Sequence, residues 1–136
     1  MLSLPKSMSS LLVRTDFTSD EAWMRLTRAL ATESEDGFVA HLDVVDDRRF
    51  ERAEWSALRS AVPANDNGAS VLFIADAAAL ESPDGEVLVV NLNDYEVETF
   101  RCIASELWGI ENNLNISNMD WEEFAESTID GVFRGF

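Results

Sequence analysis

Three aspartates stand where chemistry on an α/β sheet would need them. Asp16 follows the apolar run SLLVRT at 10–15. Asp47, together with Asp43 and Asp46, closes the run FVAHLDVV at 38–45, and Asp76 follows SVLFIA at 70–75. In open α/β sheets, ligands enter the crevice beyond the carboxyl ends of the strands. Three carboxylates meeting there could hold Mg²⁺ for phosphoryl transfer or serve as a phospho-acceptor site. The competing reading is structural, because strand–helix junctions favour aspartate as a cap and turn residue. The structural reading is preferred, with Asp16, Asp47 and Asp76 as metal ligands the alternative and no cofactor expected.

The metal alternative resembles the acidic pocket of response-regulator receivers and of some phosphatases, but with departures. Lys6 is the only lysine and precedes the first strand, so the pocket lysine is missing. Asp16-Phe17-Thr18 offers one acid where an Asp-x-Asp pair would be needed. His41 is the only histidine and shares a strand face with Asp43, two residues on. A carboxylate there could orient a base, yet no serine sits in a nucleophile-elbow pattern. His41 therefore reads as an edge-strand residue. Cys102, the only cysteine, lies in an apolar pattern and reads as a small buried hydrophobe rather than a reactive thiol. It also excludes an intrachain disulfide.

The segment from Glu111 to Phe136 carries a second chemistry. It sets four asparagines and a series of carboxylates among Trp121, Phe124, Phe133 and Phe136. So many aromatics mark a structured surface rather than a solvated tail. Glu106, Glu111, Asn112, Asn113, Asp120, Glu122, Glu123 and Glu126 form a candidate partner-binding face, with Trp108 and Trp121 as anchors. The plainer account is a helix end with caps and a buried amide network, and core tryptophans. Arg134 is expected to pair with an acid of the 120–126 helix.

These residues need elements to hold them. A strand at 10–15 leads to a helix capped by Thr18, with Glu21 completing a capping box and Ala22, Trp23, Leu26, Ala29 and Leu30 at helical spacing. Asp36-Gly37 ends it, and 38–45 forms a second strand with a half-polar face, which suits an edge. A helix over about 48–61 follows, then the loop PANDNG. A strand at 70–75, a brief turn capped by Asp76, and strands at 86–92 and 98–104 complete the sheet, the last two as a hairpin around Asn93-Asp94-Tyr95. Ser105 caps a helix bearing Leu107, Ile110 and Leu114, and Asn118 caps a last short one. Residues 132–136 add a strand or cross the core. The order predicts a three-layer α/β domain with a mixed sheet of about five strands, an antiparallel hairpin near 86–104 and two C-terminal helices. Residues 1–136 make one domain, with 1–9 loosely ordered.

At 136 residues and 46% hydrophobic, the chain can build a real core. No run approaches the roughly 18 apolar residues of a membrane span, and Pro5-Lys6-Ser7 interrupts any signal peptide. A cytoplasmic protein is expected. The net charge is −16. Residues 76–136 hold 14 acids against Arg101 and Arg134, a net of −12. Direct nucleic-acid or anionic-membrane binding is disfavoured, since both require positive charge.

With the elements placed, the chain resembles an uncharacterised family of short acidic bacterial, mainly actinobacterial, proteins. The resemblance rests on LLVRTDFTSDEAW at 11–23, LFIAD at 72–76, and the closing block from Leu107-Trp108 through ENNLNISNMDWEEF to DGVFRGF. It implies a single full-length domain and no particular activity. The charge and the lack of a catalytic motif together predict a non-enzymatic acidic binding protein, monomeric or dimeric, that occludes a basic nucleic-acid-handling partner. A nuclease toxin or a CRISPR effector would be such a partner, met by an immunity or anti-CRISPR protein acting as a nucleic-acid mimic. A housekeeping scaffold or oligomer is a third reading.

Overall fold

The computed structural model describes residues 2–6, 9–63, 70–92, 99–115 and 119–136. Its centre is a six-stranded mixed sheet: β1 (Ser10–Arg14), β2 (Leu42–Val45), β3 (Val71–Ala75), β4 (Val87–Asn91), β5 (Thr99–Cys102) and β6 (Val132–Phe133), in the order β2-β1-β3-β4-β5-β6. β1 runs parallel to both β2 and β3, β4 is antiparallel to β3 and β5, and β6 is parallel to β5. Every residue of β1, β3 and β4 is buried. Their near-continuous apolar runs require this, because each must be covered on both faces.

One face carries the larger core. Leu12, Phe73, Val89, Phe100 and Cys102 point into it and meet α1 (Asp20–Ala31), α3 (Ala77–Glu81), α4 (Leu107–Asn115) and α5 (Trp121–Ala125). The other face is thinner. Leu11, Val13, Leu72, Ile74 and Val90 lie beneath Phe50, Leu58 of α2 (Trp55–Ala61) and Leu4. Leu4 is buried and its N–H donates to Ala61 O, so the start of the chain is laid onto this face.

The crossovers on either side of β1 move in opposite directions and lie on opposite faces, as a common right hand requires. The β5–β6 connection steps the same way as β2–β3 yet stays on the α1 face. It therefore has the opposite hand. Its chain first runs back over the sheet as α4, then returns through α5 to a strand of two residues.

Several local readings shift. α1 is capped by Ser19, whose Oγ accepts from Ala22 N at 3.1 Å, while Thr18 binds Asp16 instead. The expected strand at 38–45 is regular only over its last four residues. The expected 48–61 helix is a 3₁₀ turn (Arg48–Phe50) and α2, separated at Arg52, whose φ of 62° no helix accepts. A 3₁₀ turn at Ala104–Glu106, with Ile103 at its N-cap position and no side-chain cap bond, precedes α4, so Ser105 lies inside it rather than capping. The expected cap at Asn118, the PANDNG loop after its proline and the Asn93-Asp94-Tyr95 turn fall outside the described residues. The last helix is capped by Asp120.

Gly85 shows how tightly the elements meet. Its φ is 66°, and a Cβ there would lie 2.8 Å from Leu26 Cδ1 and 3.2 Å from Ala104 Cβ. Gly85→Ala should cost about 3 kcal/mol, combining left-handed strain with overpacking. Urea unfolding with an unchanged m-value checks it, and a loss below about 1 kcal/mol would show the turn can relax.

Candidate functional site

The topological switch point lies beyond β1, where β2 and β3 leave on opposite sides. Arg14, the last residue of β1, occupies it with a buried guanidinium. Nη2 reaches Asp20 at 2.9 Å, Nη1 reaches Asp46 at 3.3 Å, and Nε donates to Asp16 O at 2.9 Å. The cation sits 4.3 Å from the Phe17 ring centroid and 5.0 Å from that of Trp23. Both rings supply favourable quadrupole contact. The loop after the 3₁₀ turn closes over it, with Arg52 N donating to Thr15 O at 2.8 Å. The crevice is thus filled by the chain's own charges.

Each strand-end aspartate has a local task. Asp16 Oδ1 accepts from Thr18 N at 3.2 Å and Thr18 Oγ1 at 3.0 Å. Asp47 accepts from Arg49 N at 2.9 Å and pairs with its guanidinium, and these two bonds hold its carboxyl below the usual range. Asp76 caps α3 by accepting from Ala79 N, and meets Arg101 through both carboxylate oxygens at 2.9 and 2.7 Å. That forked pairing is the strong form of an arginine–carboxylate contact. It raises the Arg101 pKa, burial opposing and the Glu86 charge adding. Among the described residues, no three His, Cys, Asp or Glu side chains gather as a metal would need.

His41 is exposed just before β2, which is indeed a sheet edge. Its backbone is the part that is used: its N–H donates to Glu111 Oε1 at 2.6 Å. Cys102 is fully buried, and burial first, then the Glu106 charge, pushes its thiol far up. It should react with a thiol reagent only at the rate of unfolding. Labelling of folded protein within minutes would contradict this placement.

The candidate partner face divides in two. Glu111 is only 4% exposed. Beside it, Asn112 Nδ2 donates to Val39 O at 3.2 Å and to Trp108 O at 2.8 Å, and Asn113 Nδ2 donates to Gly109 O at 2.7 Å. Trp108 stacks on Phe38 at 5.1 Å and 11°. Glu111, Asn112 and Trp108 thus tie the 38–41 segment to α4, while the Asn113 bond stays within the helix. Trp121 is core, packed on Phe100 at 4.6 Å. Glu106 is half-buried, its carboxylate against Gly135.

Asp120, Glu122, Glu123 and Glu126, by contrast, are all exposed on α5 and its flanks. Glu123 Oε2 accepts from Asp120 N at 2.7 Å, half of a capping box. None of the described basic side chains pairs with any of the four. Arg134, expected to do so, pairs with Asp84 at 3.1 Å because β6 carries it to the far side of β5, toward the 82–85 turn. Ile129, 67% exposed, follows α5 and bridges to Val132, and Phe136, 80% exposed, rests on Phe124 of α5 and on Phe133. The sequence reading singled out these acids and Phe136, whereas nothing in the pattern marked Ile129 as exposed.

Residues 9–136 match the family model described as a domain of unknown function (DUF6924), and the chain belongs to that family. No curated protein matches it. No helix among the described residues is long and apolar enough to cross a membrane.

The Glu111 tie is testable. Glu111→Ala should cost about 1–3 kcal/mol. It should also speed amide exchange at His41 more than in the central strands. Equal protection in both proteins would show that the segment is held by other contacts.

Proposed function

We propose that this chain is a non-enzymatic acidic binding protein whose α5 face covers a basic surface on a nucleic-acid-handling protein in the cytoplasm. The observation that carries the reading is the contrast between the two ends of the charge distribution. At the switch point the carboxylates are held by Arg14, Arg49 and Arg101 or by caps, whereas Asp120, Glu122, Glu123 and Glu126 are exposed without an arginine, and Glu122 and Glu126 stand outside the Asp120–Glu123 capping box as well. Carboxylates left open on a rigid helix can take positions that phosphates would occupy on the partner. They also steer its approach. Ile129 and Phe136 supply the apolar contact that such an interface needs at its centre. A nuclease toxin or a CRISPR effector is the class of partner this fits, which would make the protein an immunity or anti-defence factor.

The engaged state of Asp16, Asp47 and Asp76 weighs against the phosphoryl-transfer alternative, because metal binding would have to break an arginine fork and two caps.

Affinity capture from the native host, followed by stopped-flow association, tests the reading. The captured protein should be basic, and its association rate should fall steeply with added salt. Glu122→Gln with Glu126→Gln should slow association about two- to tenfold, while dissociation changes little. A complex whose rate ignores salt would remove the proposal.

A further inference from the structure

β2 is an outer strand of the sheet, and its pairing with β1 fixes where its backbone points. Ser10 N donates to His41 O, and Ser10 lies in register with Leu42. In a parallel ladder, Asp43 and Val45 then turn their N–H and C=O groups toward β1, as His41 does its C=O, and Leu42 and Val44 turn theirs outward. Such a row is a template for another strand. It is bordered by apolar surface. Val44 is 51% exposed. A groove of about 130 Å³ runs between α1 and β2, lined by Leu12, Thr27, Leu30, Ala31, Leu42 and Val44 among others. Met24, also exposed, continues the Thr27–Ala31 stripe of α1 at helical spacing.

We infer that this edge pairs with the same edge of a second copy of the chain, as antiparallel β2–β2 strands about a two-fold axis at Val44. Side chains alternate between the sheet faces, so only registers that match face to face join two such sheets continuously. With Val44 opposite Val44, Leu42 faces Asp46, Asp43 faces Val45, and His41 faces Asp47. No acid then opposes an acid, and the one histidine meets a carboxylate. Sliding one way sets Asp43 against Asp43, a like-charge pair that a sheet disfavours. Sliding further that way drives the incoming strand onto the 38–41 segment, where α4 is docked through Glu111 and Asn112, and sliding the other way sets Asp43 against Asp47, a second like-charge pair. The α1 stripes of the two copies flank the axis and close the groove. The register match, with His41 opposite Asp47 and no acid opposite an acid, favours a second copy over a foreign peptide even against the net charge of −16.

This inference is independent of the binding reading, since β2 and the β6–α5 side are opposite ends of the sheet. Sedimentation velocity of the full chain across a concentration series tests it. The expected result is a monomer–dimer equilibrium that strengthens with salt, because two acidic chains repel. Val44→Lys places two cations at the axis and should weaken the dimer by at least about tenfold. Met24→Glu should act in the same direction, and Ile129→Lys, at the far edge, should leave the dimer intact. Circular dichroism confirms that each variant is folded. A monomer at every concentration and salt, or folded Val44→Lys and Met24→Glu proteins that dimerise like the parent, would overturn it.

Discussion

The buried guanidinium of Arg14 is the contact around which the architecture closes. A charge taken from water is costly unless it is paired and hydrogen-bonded. Here the pairing is shared among three segments: the start of α1 through Asp20, the end of β2 through Asp46, and the loop after β1 through Asp16 O. The rings of Phe17 and Trp23 complete its surroundings. One side chain therefore fixes how α1 leaves the sheet and where β2 stops. It also fills the crevice that enzymes of this general architecture leave open for ligands.

That occupancy shapes the functional picture. The arginines gather largely at one end of the sheet, where they neutralise the strand-end aspartates. The later part of the chain has only Arg101 and Arg134, and both are spent at that same end, on Asp76 and Asp84. The α5 carboxylates are left facing water. The anionic face is thus a product of where the few cations go, as much as of how many acids there are.

The element order was legible because the strong signals are local. Apolar runs marked β1, β3 and β4, and the spacing of Trp23, Leu26 and Leu30 marked α1. The Asp76 cap and the β4–β5 hairpin also follow from short-range chemistry. What could not be read depends on distant partners. Arg134 goes to Asp84 because the strand offered at 132–136 pairs with β5, and its partner is not encoded in those residues. Glu111 looks like any surface glutamate until the 38–41 segment is laid against it. The 48–61 helix failed on a backbone angle at Arg52, which composition does not reveal. The candidate face was half legible: exposed acids keep helical spacing, while the neighbouring asparagines proved to be internal ties.

The clamp between α4 and the 38–41 segment joins residues separated by 70 positions. Loop closure on that scale is entropically slow, and it cannot be rewarded until the intervening strands are in place. Docking of this segment therefore belongs to the final steps of folding. Until then the outermost parallel strand lacks its lateral support. One carboxylate thus links an edge segment to a helix that lies beyond four of the intervening strands in the chain.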